Sequence, residues 1–205
     1  MTPLALIGGG GHALSLLEMM PENMAVCGYV DHAPVEGMSL TWLGTDDKFL
    51  SENADCPIHI SLVWGSEGDM SLRRKLIERY RHQPTETLVA STAVITPHSS
   101  IGTGCAVMHR AVINGASIGD YSIVNTGAII EHGVILGENV FVGPGAVICG
   151  NAVIGNDCII GAGAIIKNGV SIVAGTVIGL GAAVISDVTV SGVYSGIPAK
   201  EHNRK

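Results

Sequence analysis

The chain has 205 residues, room for one large domain or two small ones, with a net charge of −7 and only 14% charged residues. Glycine supplies 28 positions, about twice the usual share, while the 47% hydrophobic fraction excludes a disordered chain. The few, scattered Lys and Arg leave no footprint for a phosphate backbone, which excludes nucleic acid as a partner, and no apolar run reaches the ~18 residues of a membrane span.

The first ninety residues read as alternating strands and helices. Leu4 to Ile7 is an apolar run ending in Gly8-Gly9-Gly10-Gly11-His12, and Ala13 to Met20 follows as a helix. Val26 to Asp31 and Ile58 to Trp64 are further strands, and Ser71 to His82 is an amphipathic helix with Leu72, Leu76 and Tyr80 on one stripe. This order predicts a short parallel sheet of the mononucleotide-binding kind over residues 1–84, with a connection from Pro84 to Thr92. A strand, a glycine turn and a helix start place amides and the positive helix end around a phosphate, making Gly8, Gly11 and His12 substrate-binding candidates. Asp31 follows the next strand, where an acid accepts ribose hydroxyls. The competing reading is a tight turn without a ligand. A region of this size is about half of a dinucleotide-binding fold, so a mononucleotide, such as the nucleotide half of a sugar donor, suits it better.

After residue 90 the charge thins: residues 1–90 hold 18 of the 29 charged residues and residues 93–193 hold seven. An aliphatic residue recurs every six, from Ile118 through Val124, Ile130, Leu136, Val142, Ile148, Ile154, Ile160, Ile166, Ile172, Ile178 and Val184 to Val190. Ile95, Ile101, Val107 and Ile113 precede them, joined by a single five-residue step from Ile113 to Ile118. Small or β-branched residues stand four positions after the aliphatics, Cys105 and Cys158 among them as core filler. This is the hexapeptide pattern of a parallel β-helix, predicted over 93–198, in which three hexads close one triangular coil. Its coils stack about 4.8 Å apart.

Coil stacking selects one histidine. His132 takes the third position of its hexad, and the same column holds Gly115 one coil earlier and Gly150 one coil later. An imidazole flanked by two glycines has an open slot beside it and the Gly150 amide one rung away, which suits a general base; the bland reading is a surface histidine at a corner. His98 lies two coils away and His109 on another face, so neither pairs with His132 within one chain. A metal site is not expected, since three converging ligands are lacking. Five cysteines (27, 56, 105, 149, 158) without a CxxC read as free thiols in a reducing cytoplasm, and the first basic residue, Lys48, comes too late for a secretory signal.

The chain resembles the bacterial sugar acetyltransferases that act on nucleotide-linked amino sugars, a left-handed β-helix group including bacillosamine-precursor, perosamine and sialic acid enzymes. The resemblance rests on the glycine turn, Val30-Asp31, Leu72-Arg73-Arg74-Lys75-Leu76, Ala93 to Ser99, Asn125 to His132 and Gly196 to Lys200. It implies direct N-acetylation of a nucleotide amino sugar by acetyl-CoA, with His132 as base, the Gly150 N–H at the oxyanion, and Asn125 among the substrate-binding residues. It also implies a pantetheine arm near Phe141, Gly150, Ala162 and Leu180, and a cytoplasmic homotrimer with sites at subunit seams. The alternatives are O-acetylation of sialic acid or a similar sugar, a trimeric zinc hydratase, and a sugar-nucleotide-binding homologue with weakened chemistry. Two departures stand out. Relatives commonly carry an acid after the histidine, where this chain has Gly133, leaving Glu131 or Glu138 as substitutes. Some carry a second acid after Asp31, where this chain has His32.

Overall fold

The computed structural model describes residues 3–20, 24–63 and 68–202. Three parallel strands, β1 (Leu4–Ile7), β2 (Val26–Val30) and β3 (Ile58–Ile60), form a sheet in the order β2-β1-β3. Three helices accompany it: α1 (Gly11–Met19), α2 (Asp46–Glu52), which the sequence reading did not anticipate, and α3 (Ser71–Arg79). β3 is shorter than the strand expected over 58–64, and Trp64 lies outside the described residues.

Strand alternation sorts β1 between two cores. Ala5 and Ile7 pack with Phe49 of α2 and Ile77 and Tyr80 at α3. Leu4 and Leu6 face the other way, with Ala13, Leu16 and Met19 of α1 and, across the domain boundary, Ala106, Ile123, Phe141 and Ile159 of the repeat region. Each large apolar side chain buried there contributes roughly 1.5–3 kcal/mol relative to exposure, so the sheet domain is docked rather than tethered. The stripe expected along α3 is rotated: Leu72 is 43% exposed, while Arg73 and Ile77 are buried and Tyr80 follows at the C-cap.

The repeat region is a left-handed parallel β-helix whose two-residue strands build three walls. The first wall stacks Ala106–Val107, Ile123–Val124, Phe141–Val142, Ile159–Ile160 and Val177–Ile178; the second, Val112–Ile113, Ile129–Ile130, Val147–Ile148 and Ile165–Ile166; the third, Ser117–Ile118, Ile135–Leu136 and Val153–Ile154. Register partners are eighteen apart, as in Ile123 with Phe141 and Phe141 with Ile159. The five-residue step appears as one shorter coil, which pairs Ile101 with Ile118 and Ile113 with Ile130 one residue closer in sequence than this. The second residue of each of these strands points to the axis and is buried, with Ala128, Ala146, Ala164 and Cys158 filling the corners.

Pairing begins inside the stretch read as a connection: Leu88–Val89 joins the first wall against Ala106–Val107. At the far end the six-residue count slips. Val188, not Val190, bridges to Ile172, and Val190 is 60% exposed because the last coil is two residues short, with Tyr194 pairing Ile178. An antiparallel strand, Lys200–His202, then closes that edge against Val193–Ser195.

Candidate active site

The expected site residues fall in three places on one chain. The first is a cleft of about 520 Å³ at the carboxyl ends of the three strands, lined by Gly8, Gly10, Gly11, His12, Asp31 and His32 together with Ser61, Leu62, Val63 and Leu72, which the sequence reading missed. A parallel sheet opens its ligand crevice at this end, the signal that would have pointed to the residues after β3. Gly10, the N-cap of α1, makes no side-chain cap, and the first turn carries no acid, so the positive helix end is left for an anion. The Asp31 carboxylate is already engaged: Oδ2 accepts the Gly9 N–H at 2.9 Å, and Oδ1 accepts the His32 N–H at 2.8 Å and lies 2.6 Å from His32 Nδ1. Asp31 therefore braces the glycine turn as well as lining the cleft. Ser61 Oγ, buried, donates to the carbonyls of Ile7 and Gly8 and ties β3 to the same turn.

Behind this cleft lies a polar cluster without an acid. Burial, then the Arg73 charge, pushes His12 down to about 4. Burial pushes His59 down to about 3, although its Nδ1 sits 2.9 Å from the Glu86 carbonyl, and Arg73 down to about 10. Both histidines are neutral at pH 7 and Arg73 is charged.

The second place is an apolar groove of about 320 Å³ at the edge between the first and second walls, where Phe141, Ala162 and Leu180 meet Pro144, Ile159 and Val177. Asn125 occupies the same edge, its Oδ1 accepting the Thr126 N–H at 2.7 Å, and so stands apart from the glycine turn. The third is the edge between the second and third walls, which carries His132 and Gly150, so Gly150 is not part of the groove.

At that third edge the column expectation becomes a contact. A Cβ on Gly150 would lie 2.7 Å from His132 Cε1 and 2.8 Å from Nε2, so the imidazole rests directly on the glycine backbone. On the other side, a Cβ on Gly115 would be 3.9 Å from His132 Cα, leaving that flank open. The Asn151 N–H bonds the His132 carbonyl at 2.8 Å and the Gly133 N–H bonds that of Gly115, which fixes the histidine backbone in the ladder. No acceptor among the described residues takes the Gly150 N–H. Neither substitute acid bonds the ring. Glu131 Oε2 accepts from Asn114 Nδ2 and the His132 backbone N–H, and Glu138 is held by Arg74 at 2.6 Å. The position following the histidine disfavours a side chain: Gly133 has φ +69°, and its Cβ would fall 2.2 Å from Asn151 Oδ1, so that amide would have to swing aside. Among the described residues no three His, Cys, Asp or Glu converge as metal ligands, and no helix is long and apolar enough to cross a membrane.

Comparisons with known proteins agree with this architecture. The family described as bacterial transferase hexapeptide (six repeats) matches residues 115–150 and 133–168. Among solved structures, a histidine-to-alanine variant of GDP-perosamine N-acetyl transferase from Caulobacter crescentus, in complex with CoA and GDP-perosamine, is 31% identical over 98% of this chain and 97% of that chain, with a TM-score of 0.89. The acetyltransferase domain of PglB from Neisseria gonorrhoeae, in complex with acetyl coenzyme A, is 28% identical over 98% and 99%, with a TM-score of 0.87. WeeI from Acinetobacter baumannii, 19% identical over 98% and 100% at a TM-score of 0.81, shares the fold. No curated protein matches by sequence. The chain belongs to the bacterial hexapeptide-repeat acetyltransferases with a left-handed β-helix, among the perosamine N-acetyltransferase-like members.

Proposed function

We propose that the protein is an acetyltransferase that moves the acetyl group of acetyl-CoA onto the amine of a nucleotide-linked amino sugar, with His132 as general base. The relatives of known structure hold CoA and GDP-perosamine, or acetyl coenzyme A. The observation that carries the base is the imidazole seated on Gly150, with an open flank at Gly115. The amine nitrogen attacks the thioester carbonyl; a C–N bond forms, the carbonyl oxygen gains negative charge, and the Gly150 N–H stabilises it. His132 takes the ammonium proton, the C–S bond breaks, and the proton passes to the departing CoA thiolate. Imidazole is the side chain best matched to accepting a proton near neutral pH, which suits it to this role. The apolar groove by Phe141, Ala162 and Leu180 would take the pantetheine arm, and the glycine-turn cleft the nucleotide.

The groove and the histidine lie on different edges of the β-helix and the cleft lies in the sheet domain, which supports a site shared between chains. A homotrimer, with the groove of one copy facing the histidine edge of the next, supplies the missing parts. Ile135 (51% exposed), Val153 and Ile165 (50%) on the second and third walls are the uncovered apolar surface such packing would bury. The free thiols and a nucleotide-linked substrate support a cytoplasmic enzyme.

The experiment is CoA release across UDP- and GDP-amino sugars with the wild type and His132→Ala. The variant should lose about 10²–10⁴ in kcat while binding acetyl-CoA as before. Turnover that survives His132→Ala removes the base, and a product labile to mild base marks O-acetylation instead.

A further inference from the structure

Two consecutive arginines on α3 are treated very differently by the fold. Arg74 is partly exposed and paired with Glu138 at 2.6 Å and Asp157 at 2.8 Å. Arg73 is wholly buried, and no carboxylate among the described residues pairs with it. Its Nη1 donates to the carbonyls of Ile60 and Leu62 at 2.8 Å, its Nη2 to that of Tyr121 at 2.7 Å, and its Nε has no partner. An uncompensated buried cation is costly, and carbonyl dipoles offset only part of that cost.

The charge lies directly behind the nucleotide cleft. Leu62, whose carbonyl it holds, lines the cleft, as does His12, whose electrostatics it shifts. His12 Nε2, His59 Nε2 and Arg73 Nε itself are buried without partners, and both histidines feel the Arg73 charge. The positive end of α1 opens into the same space. The acid on the cleft wall, Asp31, is already occupied by the Gly9 amide and His32. In a chain of net charge −7, Arg73 and the α1 N-terminus are the positive groups set against this floor.

Building on the nucleotide-sugar reading above, we propose that Arg73 is the fixed counter-charge of this cleft, a positioning residue that draws the phosphates of a nucleoside diphosphate sugar onto His12 and the α1 N-terminus. It acts through the wall without touching the substrate. The site accordingly takes a diphosphate-linked amino sugar and discriminates against an uncharged nucleoside or a free amino sugar.

The test compares GDP and UDP with guanosine and uridine, their affinities measured by ligand-observed NMR on the full-length protein. Arg73→Met removes the charge but keeps the bulk, and Arg73→Gln removes it but can still donate to a carbonyl. Either variant, whichever folds, should lose about tenfold or more in diphosphate affinity, leave the nucleosides within about twofold and leave acetyl-CoA unaffected. Arg73→Lys, which keeps the charge and loses the fork, should restore diphosphate binding to within about threefold of wild type. In turnover, the neutral variants should raise KM for the nucleotide sugar with kcat little changed. Equal losses for nucleoside and diphosphate would show Arg73 to be a wall support only and overturn the proposal, as would a tenfold loss in Arg73→Lys; both leave the acetyltransferase reading standing. A wild type that binds neither GDP nor UDP overturns the proposal and the nucleotide reading of the cleft together.

Discussion

At the scale of single residues the proposed chemistry depends on atoms that are missing. Gly150 has no Cβ where the His132 ring rests, so Gly150→Ala places a methyl 2.7 Å from Cε1 and turns the imidazole aside. We expect kcat to fall about 10²-fold with little change in melting temperature, since a ring displaced by ~1 Å costs that much. An unchanged kcat would mean that the ring's seat is irrelevant to turnover. Gly133 is constrained differently. Its left-handed φ of +69° costs a larger residue about 1–2 kcal/mol, and the Asn151 amide already fills the space. Gly133→Glu, which copies the acid common in relatives, should lower the urea midpoint and gain no activity. Adding Asn151→Gly should recover part of the stability, because the clash goes and the backbone strain stays.

At the scale of elements, the sheet domain carries a pH dependence. His12 and His59 are depressed from 6.5 to about 4 and 3, chiefly by burial, so between those values and 6.5 the unfolded chain binds more protons than the folded one. Stability should be level above pH 7 and fall as pH drops from 6.5 towards 4, by up to about 1.4 kcal/mol per pH unit for each histidine. Urea unfolding at a series of pH values checks this, and His59→Gln should flatten the slope by about one proton. The elements also show where sequence is a good guide and where it is not. Hexad spacing set the walls, because an aliphatic every six residues has one axis to point to, and coil stacking set the His132–Gly150 pair. Arg73 was invisible: on a helix of mixed polarity a charged residue reads as solvated, and only the carbonyls of Ile60, Leu62 and Tyr121, brought from distant segments, make its burial possible. Val190 was misplaced because periodicity gives no warning that a final coil will be short.

At the scale of the whole molecule, the walls have unequal fates. The first is covered by the sheet domain through Ala106, Ile123, Phe141 and Ile159; the other two present Ile135, Val153 and Ile165 outward. For the homotrimer proposed above, Ile165→Arg should shift the sedimentation mass from three chains of 21.1 kDa towards one and abolish acetyl transfer, while circular dichroism stays that of the folded chain. A fully active monomer would refute the shared-site arrangement.

The short antiparallel return of Lys200–His202 along Val193–Ser195 has a consequence for solubility. A stack of coils is an unfinished ladder, and its last rung invites another molecule to continue it. Here that rung is spoken for by a strand of reversed direction bearing lysine, glutamate and histidine, all facing water. On the first wall the next chain finds charge and the wrong polarity where it would need a bare parallel edge, which disfavours growth into fibres along that face.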